Sequence, residues 1–155
     1  MTKYERIEQL GDDGLSQLWV AKAGVGKRVL LRLYSKEYRE QTPEFFTSAF
    51  AAEKELSAKL ENPNSLKLIE TVLTLEEACS VYEFVDAKPV RMLRSEDLNI
   101  LSIAHGISSA LAAHHSMGYV HRQVSPFSGF VGLKGEVKLI PSWFPRRLSD
   151  AAYVK

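Results

Sequence analysis

Two stretches of the chain carry residue types that elsewhere bind phosphate or metal. The stretch from Gly24 to Lys27 has the glycines and the lysine of a phosphate-binding loop. Arg28 stands where such a loop needs serine or threonine, so a strand turn is the better interpretation. His114 and His115 are adjacent, but neighbouring helix positions point roughly 100° apart, and no carboxylate joins them at ligand spacing. The sequence therefore favours neither a phosphate loop at Gly24 nor a histidine metal site.

Composition places the chain among soluble globular domains. It has 155 residues, 45% apolar and 25% charged, which is enough for one domain with a core. The net charge of +1, with acids and bases interspersed, indicates no binding of nucleic acid or anionic membrane. Cys79 is the single cysteine, and no apolar run reaches the ~20 residues that span a bilayer. We therefore expect a cytoplasmic protein without direct membrane insertion, or a domain of a larger one.

The elements that must position any site begin with strands. Five runs have the β-branched, aromatic and leucine content of strands, and glycine-bearing or polar turns separate them. Thr42 supplies a capping hydroxyl before Pro43, and helical spacing of apolar residues continues until Asn62-Pro63. The first half of the chain is therefore expected to form a five-stranded sheet with one helix. The predicted strands are Tyr4 to Leu10, Gln17 to Ala23, Val29 to Tyr34, Leu66 to Leu75 and Cys79 to Phe84.

The second half is predicted to be mainly helical. Ser95 is expected to cap a helix over 96–117, which Gly118 ends. Two short runs, Phe130 to Leu133 and Glu136 to Ile140, flank Lys134-Gly135 and predict a small hairpin, whereas the tail 141–155 has no clear period. The apolar face assigned to the helix carries Leu98, Leu101, Ala104, Ile107, Leu111 and His115.

The segment His121-Arg-Gln-Val-Ser-Pro-Phe-Ser128, directly after that helix, resembles the catalytic loop H-R-D-x-x-x-x-N of protein kinases. The resemblance continues in register from Leu10-Gly11, as a degenerate glycine-rich loop, to Val137-Lys-Leu-Ile140. It implies an α+β, protein-kinase-like fold in a single domain over 1–155, with an N-lobe at 1–86 and a partial C-lobe at 87–155. The family's activation segment and remaining helices would lie beyond Lys155, so we expect a truncated domain.

The resemblance also assigns the catalytic and metal positions. Gln123 stands at the catalytic aspartate, and an amide cannot accept a proton as a carboxylate does. Ser128 occupies the position of the metal-binding asparagine, and Pro141 occupies that of the D-F-G aspartate. From these three replacements the sequence predicts that the chain is not an enzyme.

The same alignment gives a vestigial nucleotide site. Asp13 and Ser16 replace glycines of the phosphate loop, and an anionic side chain repels a triphosphate. We therefore expect no cofactor, with ATP and magnesium binding weakly or not at all. Glu53 lies on the apolar stripe of its helix, which predicts a structural ion pair with a cation such as that of Arg32. The positions that match the family's nucleotide contacts are Gly11, Arg32, Glu53, Glu83 and Val85.

The resulting hypothesis is a catalytically inactive pseudokinase that serves as a scaffolding or regulatory module. A protein partner or self-association is expected at the 96–117 helix and the 141–155 tail, because side chains such as Leu101 and Ile107 lack their usual cover. One alternative is a non-catalytic nucleotide-binding switch. A weaker one is an unorthodox phosphotransferase that uses Asp12, Asp13 or Asp86. The resemblance also implies that His115 and His121 are core histidines.

Overall fold

The chain divides into two compact units. A computed structural model describes residues 3–24 and 26–142, and the backbone of 146–147. One unit comprises the described residues up to Thr47 together with Leu68–Val85, and the other comprises Ser48–Lys67 and the described residues from Asp86 onward. Most of the tail expected to form an interface, 141–155, lies outside the described residues. The predicted lobe boundaries, 1–86 and 87–155, stay predictions.

A five-stranded antiparallel sheet forms the first unit. The strands have the order β1-β2-β3-β5-β4, and each neighbouring pair is antiparallel. The five-stranded sheet predicted from the sequence is confirmed, and its boundaries differ by a few residues. The strands are β1 (Tyr4–Asp12), β2 (Ser16–Ala23), β3 (Lys27–Tyr34), β4 (Leu68–Leu73) and β5 (Ala78–Glu83).

One face of this sheet builds a compact apolar core. Successive strand residues point to opposite faces, so alternate positions of four strands meet in one cluster. Burial raises the pKa of the Cys79 thiol to about 12, which makes this side chain an inert core residue rather than a reactive thiol. The buried members of the cluster are Tyr4, Ala21, Val29, Leu31, Cys79 and Val81.

A short helix that the sequence did not reveal precedes the predicted one. Helix α1 (Lys36–Gln41) begins at Ser35, whose hydroxyl accepts from the Tyr38 backbone N–H at 3.2 Å. The Thr42 hydroxyl donates to the Tyr38 carbonyl at 3.1 Å, at the end of α1, and its capping of the next helix stays a prediction. Phe46 packs edge-on against Tyr38, with ring centroids 5.5 Å apart. Helix α2 then covers Pro43–Lys59, as the proline at its first position predicted.

The second unit contains the larger part of α2, a second long helix and two small sheets. Helix α3 is Ile100–Ser116, and none of the helices among the described residues is long and apolar enough to cross a membrane. The predicted hairpin is confirmed as β8 with β9, and β6 extends it to three strands; β7 pairs with β10. These strands are β6 (Ala87–Pro89), β7 (Tyr119–Val120), β8 (Gly129–Gly132), β9 (Val137–Leu139) and β10 (Arg146–Arg147).

Two predictions for α3 are wrong. Ser95 lies in a short 3₁₀ turn, and Asn99 caps the helix by accepting from the Ser102 N–H at 3.1 Å. The buried face carries small residues and a histidine instead of the larger apolar side chains: Gly106, Ala110 and His114. A Cβ on Gly106 would lie 2.5 Å from the Val137 Cβ, so α3 approaches β9 more closely than any larger side chain would permit.

Candidate functional site

The loop from His121 to Ser128 is anchored at its first residue. His121 is 2% exposed, and its Nε2 lies 2.8 Å from the Ile140 carbonyl oxygen. The Gln123 backbone N–H donates to His121 Nδ1 at 3.2 Å, so the proton of a neutral ring is on Nε2, which donates to Ile140. The histidine therefore joins the start of the loop to the residue before Pro141, and its expected core role is consistent with these contacts.

A second buried histidine, His114, packs against His121. His114 is fully buried, and its ring centroid is 5.0 Å from that of His121. His114 Nδ1 donates to the Ala110 carbonyl at 2.8 Å, within α3. The core position expected for His115 is wrong: that side chain is exposed, because the close approach of α3 at Gly106 turns position 114 inward.

Ser128 holds the other end of the loop. Its hydroxyl accepts from the Ser125 N–H and donates to the Ser125 carbonyl, each at 3.0 Å. The Ser128 carbonyl accepts from the Ile140 N–H at 2.9 Å. Hydrogen bonds through His121 and Ile140 therefore link the loop that carries Gln123 and Ser128 to the residue before Pro141. The family roles assigned to Gln123, Ser128 and Pro141 stay predictions.

The residues at the two metal positions do not fit a magnesium site of the family kind. The hydroxyl of Ser128 is already engaged with Ser125, and the Pro141 side chain has no oxygen. Across the part of the chain that the structure describes, no three His, Cys, Asp or Glu side chains are grouped to hold a metal ion. The expectation of weak or absent ATP and magnesium binding stays a prediction.

Gln123 keeps an acceptor in the loop. Its side-chain Oε1 is buried and accepts no hydrogen bond from another described residue. Phosphoryl transfer relies mainly on positioning and electrostatic stabilisation, and in some phosphoryl-transfer enzymes a glutamine orients the attacking nucleophile. An amide oxygen can therefore orient a hydroxyl group although it cannot take up its proton.

In the turn between β1 and β2, backbone N–H groups donate hydrogen bonds to the carboxylates of Asp12 and Asp13. Asp13 Oδ1 accepts from the Leu15 and Ser16 backbone N–H groups at 3.0 and 2.7 Å. Asp12 Oδ1 accepts from the Gly14 N–H at 2.8 Å, and this bond and the Gln17 amide lower the pKa of the Asp12 carboxyl. The N–H groups that would bind phosphate in a glycine-rich loop are thus hydrogen-bonded to side chains of the turn itself.

Four of the five expected nucleotide positions lie in the first unit. The strand register places Gly11 opposite Leu18, and Leu18 opposite Arg32. Gly11 and Arg32 therefore lie in one row across the sheet. Glu83 ends β5 opposite Val29, and Val85 follows it in the chain. Glu53 belongs to the second unit and is fully buried. The Arg32–Glu53 ion pair stays a prediction, as does the role of all five residues in nucleotide binding.

Sequence reasoning missed His114, Gly106 and Arg91. The first two are spaced four residues from Ala110 on either side, a spacing that marks one face of a helix. The prediction relied on large apolar residues, and this face has none. Arg91 packs its guanidinium over the Phe127 ring at 4.5 Å. That contact depends on the pairing of β6 with β8, and a three-residue strand leaves no signal in the sequence.

No family model matches the chain, but curated proteins do. It is 26% identical over 153 residues to the serine/threonine-protein kinase PksC of Streptomyces coelicolor, covering 89% of this chain and 27% of PksC. Identity to the serine/threonine-protein kinase sid2 of Schizosaccharomyces pombe is also 26%, over 88% of this chain and 23% of that protein. The chain thus spans about a quarter of the length of these curated relatives.

Solved structures of kinase domains share the fold. The kinase domain of Mycobacterium tuberculosis PknI matches with a TM-score of 0.71 at 19% identity, over 92% of this chain and 59% of that one. A double mutant of the same domain gives a TM-score of 0.77 at 18% identity, over 99% of this chain and 69% of that one. At this identity the likeness shows the fold.

These comparisons correct one expectation and confirm another. The prediction that the chain is not an enzyme is wrong, because the relatives are named serine/threonine kinases and point to a kinase rather than to a non-enzyme. That prediction gave too much weight to a carboxylate at position 123, in a reaction dominated by positioning. The predicted fold class is correct: the chain has the α+β fold of protein kinase domains, and named serine/threonine kinases are its relatives in sequence.

Proposed function

We propose that the chain acts as a regulatory or scaffolding module of the protein-kinase-like superfamily, which binds a protein surface through α3. One observation carries this proposal. Over its 17 residues α3 has no Asp, Glu, Lys or Arg, although about half of these residues are exposed. A helix without a charged face is normally buried on all sides.

The exposed end of α3 offers the largest apolar contact. Ile100 is 71% exposed and Leu101 is 83% exposed, in adjacent positions of the first turn. Burial of a side chain of this size against a partner contributes roughly 1.5–3 kcal/mol. The partner is a second copy of the chain or another protein domain. A cytoplasmic location belongs to the same proposal, supported by a single buried cysteine that is free.

Sedimentation velocity over a wide concentration range tests self-association. If a second copy binds α3, the wild type associates as concentration rises, and Leu101→Asp shifts the dissociation constant upward by about tenfold or more. Leu133→Asp is the matched control, because Leu133 is equally exposed at 85% and lies in the β8–β9 turn. A wild type that stays monomeric throughout, or equal effects of both variants, contradicts self-association through α3.

A nucleotide-binding switch is the second candidate. Arg32 favours it, because a buried cation in the same cross-strand row as Gly11 can attract phosphate. Thermal unfolding with millimolar ATP, with and without magnesium, tests it, since a ligand that binds only the folded state must stabilise it. A melting temperature unchanged by ATP, or raised equally in Arg32→Met, contradicts nucleotide binding through Arg32.

Phosphotransfer is a third candidate, because the relatives are named serine/threonine-protein kinases. The buried Oε1 of Gln123, which could orient a hydroxyl group, supports it. Asp12 and Asp13 support it less, because both carboxylates are hydrogen-bonded within their own turn. Transfer of radiolabelled phosphate from ATP is the direct assay. Transfer lost in Gln123→Ala but retained in Gln17→Ala supports this candidate. No transfer by the wild type contradicts it, and transfer unaffected by Gln123→Ala contradicts the role given to Gln123.

A further inference from the structure

An exposed arginine stacks on an aromatic ring of the 121–128 loop. The Arg91 guanidinium lies over the Phe127 ring, 4.5 Å from its centroid. Stacking uses the face of the planar guanidinium and leaves its N–H donors, which lie in the plane, available to a carboxylate. Arg91 is therefore held in an orientation that suits bidentate binding of an acidic group.

Backbone pairing fixes the place of this stack. Strand β6 pairs with β8, with Pro89 opposite Phe130, and the 3₁₀ turn Val90–Met92 follows β6 directly. The Arg91 backbone N–H donates to the Pro126 carbonyl at 3.0 Å. The backbone of Arg91 is thus hydrogen-bonded to that of Pro126, the residue before Phe127, and this bond holds the two side chains near each other.

Cations outnumber acids on the two segments that meet here. Residues 86–94 and 121–128 contain one acidic residue, Asp86, and four basic ones. Arg94 is neutralised by Glu96 at 2.8 Å and by Asp97 at 3.1 Å. The other three, Lys88, Arg91 and Arg122, are exposed and form no ion pair with a described residue.

Arg122 adds a local conformational feature. Its φ is 66°, in the left-handed region, and it is the one non-glycine residue among those described with a positive φ. This conformation is disfavoured for residues with a Cβ, and it persists where the surroundings determine it. The next N–H, that of Gln123, is bonded to His121 Nδ1, which holds this bend of the chain. Val124, two residues after Arg122, is 50% exposed and adds an apolar side chain to the surface of this loop.

We propose that Arg91, stacked on Phe127, forms with Lys88 and Arg122 a binding site for an acidic segment of a partner protein. Aspartate or glutamate side chains of that segment bind the Arg91 N–H donors, and its apolar side chains contact Phe127 and Val124. These side chains differ from those of the exposed α3 turn, so the site does not depend on the function proposed for α3. Charge complementarity selects an acidic peptide, since the three cations form no ion pair within the described chain.

Fluorescence anisotropy with a short labelled peptide tests the site. The probe is rich in glutamate with interspersed leucine, and its control has glutamine in place of every glutamate. The wild type is expected to bind the acidic peptide and not the glutamine peptide, with affinity that falls as salt rises. Arg91→Ala is expected to weaken binding by about tenfold or more. Phe127→Leu is expected to weaken it less, because it removes the stacking and keeps the charge.

Arg94→Ala is the matched control. Arg94 is an exposed arginine of the same segment that is already paired, and its replacement is expected to leave the affinity for the acidic peptide within about twofold of wild type. Circular dichroism melts establish that each variant is folded. Equal losses in Arg91→Ala and Arg94→Ala would overturn the proposal. So would equal binding of the two peptides, or binding of inorganic phosphate or single-stranded RNA by a protein that does not bind the acidic peptide.

Discussion

The imidazole rings of His114 and His121 lie 5.0 Å apart, and each is buried. His114 belongs to the last turn of α3, whereas His121 opens the loop that leads to Gln123 and Ser128. His114 Nδ1 donates to the Ala110 carbonyl, and its Nε2 accepts no hydrogen bond from the described residues. The helix therefore supports the loop through a pair of rings that are both suited to the neutral state.

Acidification is expected to destabilise the fold through His114. Burial, together with the neighbouring His115, lowers the pKa of His114 below the ordinary 6.5, so the unfolded chain takes up the proton first as pH falls. The stabilising contribution is complete above pH 6.5 and is lost as pH falls towards the folded-state pKa. Its slope is at most about 1.4 kcal/mol per pH unit. The strands that pack against α3 carry few charged residues that could affect this titration. Strand β7 has none, and β9 has Lys138.

Urea unfolding between mildly acidic and neutral pH measures this slope. His114→Gln should flatten the dependence of unfolding free energy on pH. His115→Gln is the control, because this exposed neighbour should leave the slope nearly as in wild type. Identical slopes in the wild type and in His114→Gln would show that the buried ring does not titrate on unfolding.

Gly106→Ala is expected to destabilise the protein even though alanine is the better helix former. The gain in helix propensity is about 1 kcal/mol. The new Cβ would lie 2.5 Å from the Val137 Cβ and 3.2 Å from Asn64 Nδ2, which forces the helix and β9 apart. Overpacking of this kind costs about 1–3 kcal/mol, so we expect a net loss of stability.

Denaturant unfolding of Gly106→Ala measures this loss, with Ser108→Ala as control. Ser108 is exposed on α3, and its change should be neutral or slightly stabilising. An increase in stability for Gly106→Ala would mean that α3 and β9 do not pack as closely as described.

Ser128→Ala is expected to loosen the 121–128 loop. The change removes the hydroxyl that both accepts from the Ser125 N–H and donates to the Ser125 carbonyl. Loss of a hydrogen bond of this kind costs about 0.5–1.5 kcal/mol, because the Ser125 N–H lies in an exposed part of the loop where water can replace the hydroxyl. Hydrogen exchange at the amide of Ser125 should accelerate, whereas the amides of β5 should exchange as in wild type. Unchanged exchange at Ser125 would assign its protection to another acceptor.

Asp13→Ala is expected to destabilise the β1–β2 turn by about 1 kcal/mol, since Asp13 Oδ1 accepts from two backbone N–H groups. Asp13→Asn keeps an acceptor oxygen and should lose less. Unfolding free energies of the two variants give the comparison. An equal loss in both would indicate that the charge rather than the hydrogen bonds stabilises the turn.

Local and medium-range patterns made much of the fold predictable. The strands of the first unit and the start of α2 at Pro43 follow from residue type and proline position. The buried face of α3 was not predictable from hydrophobicity, since contact at Gly106 depends on the absence of a side chain. The loop residues Gln123, Ser128 and Pro141 could be aligned by motif, but their chemistry could not be settled by residue type alone. The Arg91–Phe127 stack depends on strand pairing that leaves no periodic signal.

Site-specific photo-crosslinking tests the central proposal, binding of a protein surface by α3, most directly. A photoreactive amino acid replaces Leu101 in one sample and the equally exposed Leu133 in the other. Crosslinked peptides are identified by mass spectrometry in the full-length protein under native conditions. The account predicts crosslinks from position 101 to one defined protein surface, in a second copy or another domain, and few from position 133. Equal, scattered or absent crosslinks at the two positions would contradict it.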